Sequence, residues 1–274
     1  MPNDLIANAR MYSVAPGAIA AWKRLFAWLD AQSGVRLTVI DHAFPALLND
    51  LWARPDLAAT FMCGWPWLRH GATHRVVAAP VPASASAYAK GKPQYCTHFV
   101  VHRDSRFQKL EDTFGHRFAY TIADSHSGYN APRHHLMRYR GAEKRKLYGE
   151  IIGPLTTPRR MLEAIAEKRT DVGPLDSFAY DLLSRHEPAL AAETRVIAST
   201  DPVPIPAIMA SRDMDAQVIE TLRATLLTLG SKPEQASLCA DLCISGFATL
   251  DPAAYEVAER WARETEAAGL EVIA

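Results

Sequence analysis

Residues 124–132 have the sequence DSHSGYNAP and join a strand-like run, residues 117–123, to a helix-like run, residues 133–139. A strand that ends in small hydroxyl residues and glycine, and then begins a helix, gathers free backbone N–H groups at one point. These N–H groups and the helix dipole favour a bound anion. Ser125 and Ser127 add hydroxyl donors. The pattern is equally typical of a serine that only caps a helix, so the turn alone leaves both interpretations open.

The composition of the chain indicates an ordinary globular protein with room for two lobes. It has 274 residues, of which 49% are hydrophobic and 22% are charged. Acidic and basic residues balance at 30 each, so net charge gives no support for a nucleic-acid or membrane-surface partner. The basic cluster at residues 144–146 is best explained as a solvated loop, and residues 83–93 are predicted to form a surface loop.

No run of eighteen apolar residues occurs, so we expect no direct membrane insertion. Residues 1–7 have neither the basic start nor the apolar core of a signal peptide. The compartment therefore stays open: the protein is cytoplasmic if the chain is native as printed, and periplasmic if a leader was removed.

The cysteine and histidine spacings do not predict a metal site. The four cysteines form no CxxC pair, and buried structural thiols are the favoured interpretation for Cys63, Cys96, Cys239 and Cys243. His70 and His74 are four residues apart, but no third ligand is evident nearby. We expect neither a metal nor a cofactor.

Strand-like and helical segments alternate along the chain, which predicts an α/β fold with mixed, mostly parallel sheets. The alternation starts again near residue 107, so a second unit is predicted to be inserted into the first. Lobe 1 would comprise residues 1–97 and 201–274, and lobe 2 residues 98–200. A ligand cleft between the lobes, with hinge closure around the ligand, is the expected arrangement.

Two further helix starts follow strands in the predicted second lobe. Thr157 is a predicted N-cap with Pro158 at the first helical position. Asp176 and Ser177 follow a short buried strand, residues 171–175, and predict the cap of the next helix.

Several separate motifs carry a resemblance to a known family. They are Tyr12-Ser13, CGWP at residues 63–66, SHSGY at 125–129, TPRRMLEAI at 157–165 with DVGPLDS at 171–177, and PVPIP at 202–206. By these motifs and their order, the chain resembles the type II periplasmic binding proteins, and within them the phosphate, phosphite and phosphonate binding group. The resemblance spans most of the chain, from about Tyr12 to the final helices.

The resemblance implies a solute-binding protein that captures a small anionic ligand, a phosphonate or related oxyanion, for an ABC transporter. The transporter permease would be the protein partner, no nucleic acid would bind, and no residue would be catalytic. The serine turn would hold the oxyanion through Ser125, Ser127 and Gly128, with His126 and Tyr129 beside them. Gly128 would let the ligand approach the backbone closely.

Four other residues, namely Tyr12, Trp65, Thr156 and Asp176, are candidate ligand contacts. Tyr12 would supply a ring or hydroxyl from the opposite lobe, and Trp65 would form an aromatic wall. Asp176 would accept a hydrogen bond from a protonated phosphonate oxygen or an amine. A core tyrosine and a plain N-cap stay open as alternatives for Tyr12 and Asp176.

The sequence departs from the family at residues 155–157, which are LTT where phosphonate binders commonly carry a histidine. The hydroxyl of Thr156 can donate a hydrogen bond but supplies no positive charge. A monoanion, or an anion that also carries an amine, becomes plausible. His126 could partly replace the missing histidine, or its ring could face solvent.

Two other functions are alternatives to transport. One is a cytoplasmic ligand sensor. The other is an enzyme similar to the thiamine pyrimidine-precursor synthases, which share this fold, although no cofactor-lysine or cysteine-rich signature of that enzyme is found.

Overall fold

The computed structural model describes residues 5–84, 88–140 and 146–269. The predicted loop at residues 83–93 and the predicted basic segment at 144–146 lie partly outside these ranges. Two contact-defined units make up the chain. Unit 1 is Met1–Gln94 with Pro204–Ala254, and unit 2 is Tyr95–Val203 with Tyr255–Ala274.

The strands and α-helices follow one another along the chain. In order they are β1 (Leu5–Asn8), α1 (Pro16–Ser33), β2 (Leu37–Val39), α2 (Leu48–Trp52), β3 (Leu57–Met62), α3 (Gly64–Arg69), β4 (His74–Pro82), β5 (Gln94–Tyr95), β6 (Thr97–His102), β7 (Arg117–Ala119), α4 (Ala131–Leu136), β8 (Glu150–Ile152), α5 (Pro158–Ala166), β9 (Val172–Asp176), α6 (Ser177–His186), α7 (Pro188–Ala191), β10 (Thr194–Ser199), β11 (Val203–Pro204), β12 (Ala207–Ser211), α8 (Ala216–Thr228), α9 (Ala236–Asp241), β13 (Ile244–Ala248) and α10 (Glu256–Ala267).

Helix α1 shows how local sequence forms an element of unit 1. Its buried residues recur every three or four positions, which places Ala18, Trp22, Leu25 and Leu29 on one face. Pro16 begins the helix, where its missing N–H costs nothing. Gly34 ends it at φ 72, a left-handed conformation that suits glycine.

Unit 1 contains a six-stranded sheet in the order β13-β4-β12-β3-β1-β2. Strand β1 lies parallel to β2 and β3, whereas β12 is antiparallel to β3 and β4, and β13 is antiparallel to β4. Every residue of β3 and β12 is buried, because both strands are central and covered on their two faces.

Unit 2 contains a five-stranded sheet in the order β10-β6-β9-β7-β8. Strand β7 is parallel to β8 and β9, while β6 is antiparallel to β9 and β10. A buried apolar cluster packs on this sheet and includes Phe99, Phe118, Leu136 and Tyr148. The short strands β5 and β11 pair separately.

The predicted α/β class with mixed sheets is confirmed, but the expectation of mostly parallel sheets is wrong. Among the described residues, five of the nine pairings in the two large sheets are antiparallel. Strand order is decided by long-range pairing, and a run of strand-forming residues carries no information on its partner's direction. Strand β13 was not predicted, because its sequence is short and contains Gly246.

The units of the structure also differ from the predicted lobes at the chain's end. Residues 255–274 were assigned to lobe 1, whereas the structure groups them with unit 2. The chain therefore passes between the units three times, not twice. The amphipathic pattern of α10 predicts a buried face but cannot say which sheet or helix covers that face.

Candidate functional site

The candidate site lies at one edge of the sheet in unit 2, where parallel strands β7 and β9 end and antiparallel β6 begins. Thr97, the first residue of β6, is paired with Asp176, the last residue of β9. Ligands of α/β sheets bind outside the carboxyl ends of parallel strands. The turns that follow β7 and β9 are therefore the candidate ligand-binding segments of this sheet.

The serine turn, residues 124–130, begins with Ser125 acting as a helix cap. Its Oγ accepts a hydrogen bond from the Gly128 N–H at 2.9 Å, and its carbonyl accepts one from the Asn130 N–H at 3.1 Å. Residues His126–Asn130 form a π-helical turn that continues into α4. The plain capping interpretation of Ser125 is thus part of the structure, although its O–H can still donate.

Ser127 is the residue of the turn whose donors are available to a ligand. Its side chain is 9% exposed, and its hydroxyl makes no hydrogen bond to the described part of the chain. Its carbonyl accepts a hydrogen bond from Thr97 Oγ1 at 3.0 Å, which fixes the backbone of the turn. The N–H groups of His126 and Ser127 begin the helical segment and have no acceptor within it.

Gly128 is required by packing inside the protein. A Cβ at this position would lie 1.7 Å from Thr121 Oγ1 and 3.0 Å from Ser125 Oγ. The Thr121 N–H also donates to the Gly128 carbonyl at 3.4 Å. The side chain of Thr121 therefore requires glycine at this position, and the close approach of a ligand to the Gly128 backbone stays a prediction.

Thr156 stands next to Thr121 in a strained conformation. Its φ is 70°, a value that a β-branched residue rarely adopts. Its N–H donates to the Thr121 carbonyl at 3.0 Å. Because Thr121 also packs on Gly128, these contacts bring Thr156 close to the serine turn. Strain of this kind is often found at functional sites, where surrounding contacts hold it in place.

Asp176 is the N-cap of α6. Its Oδ1 accepts hydrogen bonds from the N–H groups of Phe178 at 2.9 Å and Ala179 at 3.0 Å. The Ser177 N–H donates to the Cys96 carbonyl at 3.0 Å. The first amides of α6 are therefore already bonded, and the buried carboxylate places a negative charge at this edge of the sheet.

His126 is buried, so the interpretation in which its ring faces solvent is wrong. The residue is 3% exposed, and its Nδ1 lies 3.1 Å from Asn130 Nδ2. Burial, with a smaller contribution from nearby His134, lowers the pKa of His126 to about 3. The ring is neutral near pH 7 and cannot supply the positive charge of the missing family histidine.

Tyr129 of the serine turn is half-buried. Its ring packs edge-on against Tyr120 at 5.5 Å, and the Arg133 guanidinium lies 5.4 Å from the ring centroid. A role for Tyr129 in ligand binding stays a prediction.

Tyr12 and Trp65 belong to unit 1. The Tyr12 ring packs edge-on against Phe61 at 5.0 Å and stacks near Trp22, and it is 1% exposed. Trp65 is the second residue of α3, where it is buried and its ring centroid lies 5.3 Å from the Arg69 guanidinium. Their predicted roles in ligand binding stay predictions.

The histidine and cysteine residues make structural contacts. His74 Nε2 bonds the Trp52 carbonyl at 2.7 Å. Cys63, Cys96 and Cys239 are buried, and Cys243 is partly exposed. Burial is the main cause that raises the pKa of the Cys96 thiol to about 11. Across the ranges that the structure describes, no group of three or more His, Cys, Asp or Glu could hold a metal ion.

Sequence reasoning missed Thr97 and Thr121, which hold the serine turn from both sides. Thr121 could have been found from its position, since a hydroxyl residue directly after a buried strand lies at the ligand edge of an α/β sheet. No local sequence signal marks Thr97. Strand β6 is antiparallel to β9, so the first residue of β6 lies at the edge where β9 ends.

This chain is similar to many solved structures, three of which follow. A binding-protein component of an ABC phosphonate transporter from Pseudomonas aeruginosa is 18% identical with a TM-score of 0.77, over 97% of this chain and 89% of that one. PhnD1 from Prochlorococcus marinus in complex with methylphosphonate is 13% identical with a TM-score of 0.76, over 96% and 98%. The periplasmic aliphatic sulphonate binding protein SsuA from Escherichia coli is 14% identical with a TM-score of 0.60, over 98% and 89%.

Two α/β units with mixed sheets and this similarity define a binding protein of the type II-like periplasmic fold. The family described as "ABC transporter, phosphonate, periplasmic substrate-binding protein" matches residues 15–255, and the chain belongs to this family. No curated protein sequence is similar enough to count as a match.

The family is a substrate-binding component of a transporter, not an enzyme, which implies a small ligand and a transporter partner. The sensor and thiamine-precursor alternatives gain no support from it. No helix in residues 5–84, 88–140 and 146–269 has the length and apolar character needed to cross a membrane.

Proposed function

We propose that the serine turn of unit 2 binds the oxyanion of a small organic phosphonate or sulfonate for delivery to the permease of an ABC transporter. The observation that carries the proposal is Ser127, whose hydroxyl has no partner in the described chain while its backbone is fixed by Thr97. The first amides of the turn lie beside that hydroxyl and point away from any helical acceptor. Together they form a set of neutral donors suited to an oxyanion.

The charges at this edge favour a ligand of low net negative charge. His126 is neutral because its pKa is about 3. The Asp176 carboxylate lies across Thr97 from the serine turn, since Thr97 bonds Ser127 and pairs with Asp176. A carboxylate repels a dianion and attracts an amine. An aminophosphonate, with its anion on the serine turn and its ammonium towards Asp176, is therefore the preferred ligand.

Titration calorimetry with a panel of anions tests this function. The panel is 2-aminoethylphosphonate, methylphosphonate, phosphate, phosphite and methanesulfonate. We expect 2-aminoethylphosphonate to bind most tightly and fully deprotonated phosphate most weakly. Ser127→Ala should weaken the best ligand by roughly 10- to 100-fold, which corresponds to the loss of one hydrogen bond to a charged group.

Ser184→Ala is the matched control, because Ser184 is exposed on α6 of the same unit. It should bind with the affinity of the unmodified chain. Equal affinities for Ser127→Ala and Ser184→Ala would overturn the assignment of the serine turn as the anion site.

A further inference from the structure

Helix α10, near the end of the chain, contacts both ends of the serine turn. Asn130, the last residue of the turn, is 0% exposed. Its Nδ2 lies 2.8 Å from the Ala258 carbonyl oxygen and 3.1 Å from His126 Nδ1. A single amide group therefore connects the first helical residue of the turn, its last residue and α10.

These contacts determine the proton position on His126. The Ala258 carbonyl can only accept, so the Asn130 atom that faces it must be the NH₂ group. The second hydrogen of that group points to His126 Nδ1, which must then be an acceptor. The ring proton consequently resides on Nε2. Since the ring stays neutral near pH 7, this hydrogen-bonded arrangement persists under ordinary conditions.

Trp261 of α10 gives the turn a second attachment. Its ring lies 5.6 Å from the His126 ring at an interplanar angle of 21° and 4.6 Å from the His134 ring at 5°. His134 Nε2 is also 2.7 Å from Glu264 of α10. Helix α10 thus contacts the serine turn and α4 through stacked rings as well as through the amide of Asn130.

Two buried polar atoms in this cluster lack partners in the described residues, namely His126 Nε2 and Asn130 Oδ1. An unsatisfied buried polar group is destabilising, because its hydrogen bonds to water are lost and not replaced. The two unsatisfied atoms make this polar cluster a weak contributor to the stability of unit 2. What the cluster does fix is the geometry of the serine turn.

We propose that Asn130, supported by Trp261, is a positioning residue for the serine turn. It holds the backbone from His126 to Asn130 in the π-helical conformation that presents the Ser127 hydroxyl and the first amides together. Asn130 acts through His126 and Ala258 and is given no contact with ligand. The effect on affinity rests on the proposed function, whereas the effect on the turn itself can be measured without any ligand.

Hydrogen exchange in the full-length chain without ligand tests the positioning step. The amides of Gly128 and Asn130 report on the turn, because both are bonded to Ser125. Asn130→Ala should accelerate exchange in residues 125–130 by about tenfold or more, and leave exchange in β6 and β9 unchanged relative to the unmodified protein.

Thr113→Ala is the control for a general loss of stability. Thr113 is buried in the same unit, where its hydroxyl bonds the Leu110 carbonyl at 2.6 Å and contacts the Tyr148 hydroxyl at 3.2 Å. If residues 125–130 exchange at the original rate in Asn130→Ala, or are accelerated equally by Thr113→Ala, the positioning role is overturned.

Calorimetry with 2-aminoethylphosphonate gives the functional readout. Asn130→Ala should weaken binding about tenfold or more, whereas Thr113→Ala should stay within about twofold at a similar loss of stability. If the unmodified chain binds and Asn130→Ala binds equally well, the positioning role is overturned. If no protein binds any anion but exchange accelerates as expected, the proposed function fails and the positioning role stands.

Trp261→Phe covers the case in which Asn130→Ala does not fold. It retains an apolar ring at position 261 and leaves the Asn130 amide in place, but it weakens the stacking of residue 261 on His126 and on His134. A smaller acceleration of exchange confined to residues 125–130 supports the proposal, and unchanged exchange in those residues contradicts it.

Discussion

Two turns at the same edge of the sheet in unit 2 connect a strand to a helical segment, and they differ in what their caps leave available. After β9, one oxygen of Asp176 accepts from two amides, those of Phe178 and Ala179. After β7, Ser125 Oγ accepts from the Gly128 amide. The Asp176 turn is thereby occupied and negatively charged, whereas the serine turn is neutral and keeps donors at Ser127.

The difference shows that a helix start becomes an anion site only when its own cap leaves donors unused. A carboxylate cap satisfies the amides and also repels an incoming anion. A serine cap satisfies fewer amides and adds no charge. The following four experiments test this contrast, beginning with the largest expected effect.

Gly128→Ala tests whether the shape of the serine turn depends on the space taken by Thr121. The new Cβ would overlap Thr121 Oγ1, so we expect a loss of about 3 kcal/mol in the free energy of unfolding, measured by urea denaturation. Combining it with Thr121→Ala should restore at least about 1 kcal/mol of that loss. Strictly additive effects would show that the two residues do not share this space.

The loss of folding stability at acidic pH tests the burial of His126. The Asp176 turn has no counterpart to this buried histidine. Its pKa is about 3 in the folded protein and near 6.5 when unfolded. The unfolded chain therefore binds more protons between these values, and stability falls as the pH drops below about 6.5. Relative to His126→Asn, the unmodified chain should lose about 2–3 kcal/mol more between pH 7 and pH 4.5 in urea denaturation. Identical losses of stability at acidic pH would mean that His126 is not buried and neutral.

Asp176→Asn tests whether the charge of the Asp176 carboxylate contributes to the difference between the two turns. Asparagine keeps an oxygen for the two α6 amides, so stability should change by less than about 1 kcal/mol. Loss of the carboxylate should raise the affinity for phosphate relative to methanesulfonate by about five- to tenfold, as measured by calorimetry at pH 8. An unchanged ratio would show that Asp176 does not influence the bound anion.

Thr156→Gly tests whether strain is retained beside the serine turn. Glycine adopts a φ of 70° without penalty, so we expect a gain of about 1 kcal/mol in stability by urea denaturation. Lys168→Gly, at φ 58° in the exposed turn after α5, should give a similar gain without any change in ligand affinity. If Thr156→Gly also keeps full affinity for 2-aminoethylphosphonate, the Thr156 hydroxyl is not a ligand contact.

Local sequence predicted the caps and several elements well. Thr157 and Asp176 are N-caps as predicted, because hydrogen bonds between near neighbours in the chain decide this feature. The candidate residues Ser125, Ser127 and Asp176 were found for the same reason. The roles of Thr97, Thr121 and Asn130 could not be predicted, since each acts on a residue reached only through tertiary packing or pairing.

The sequence by itself determined that the chain forms two α/β units and that residues 124–130 make a capped turn after a strand. Those features depend on periodicity and on hydrogen bonds between near neighbours in the chain. Only the tertiary structure decided that Thr121 requires Gly128, that His126 is buried and neutral, and that α10 joins the second unit. These outcomes depend on contacts such as Asn130 to Ala258, 128 positions apart, which no local pattern encodes.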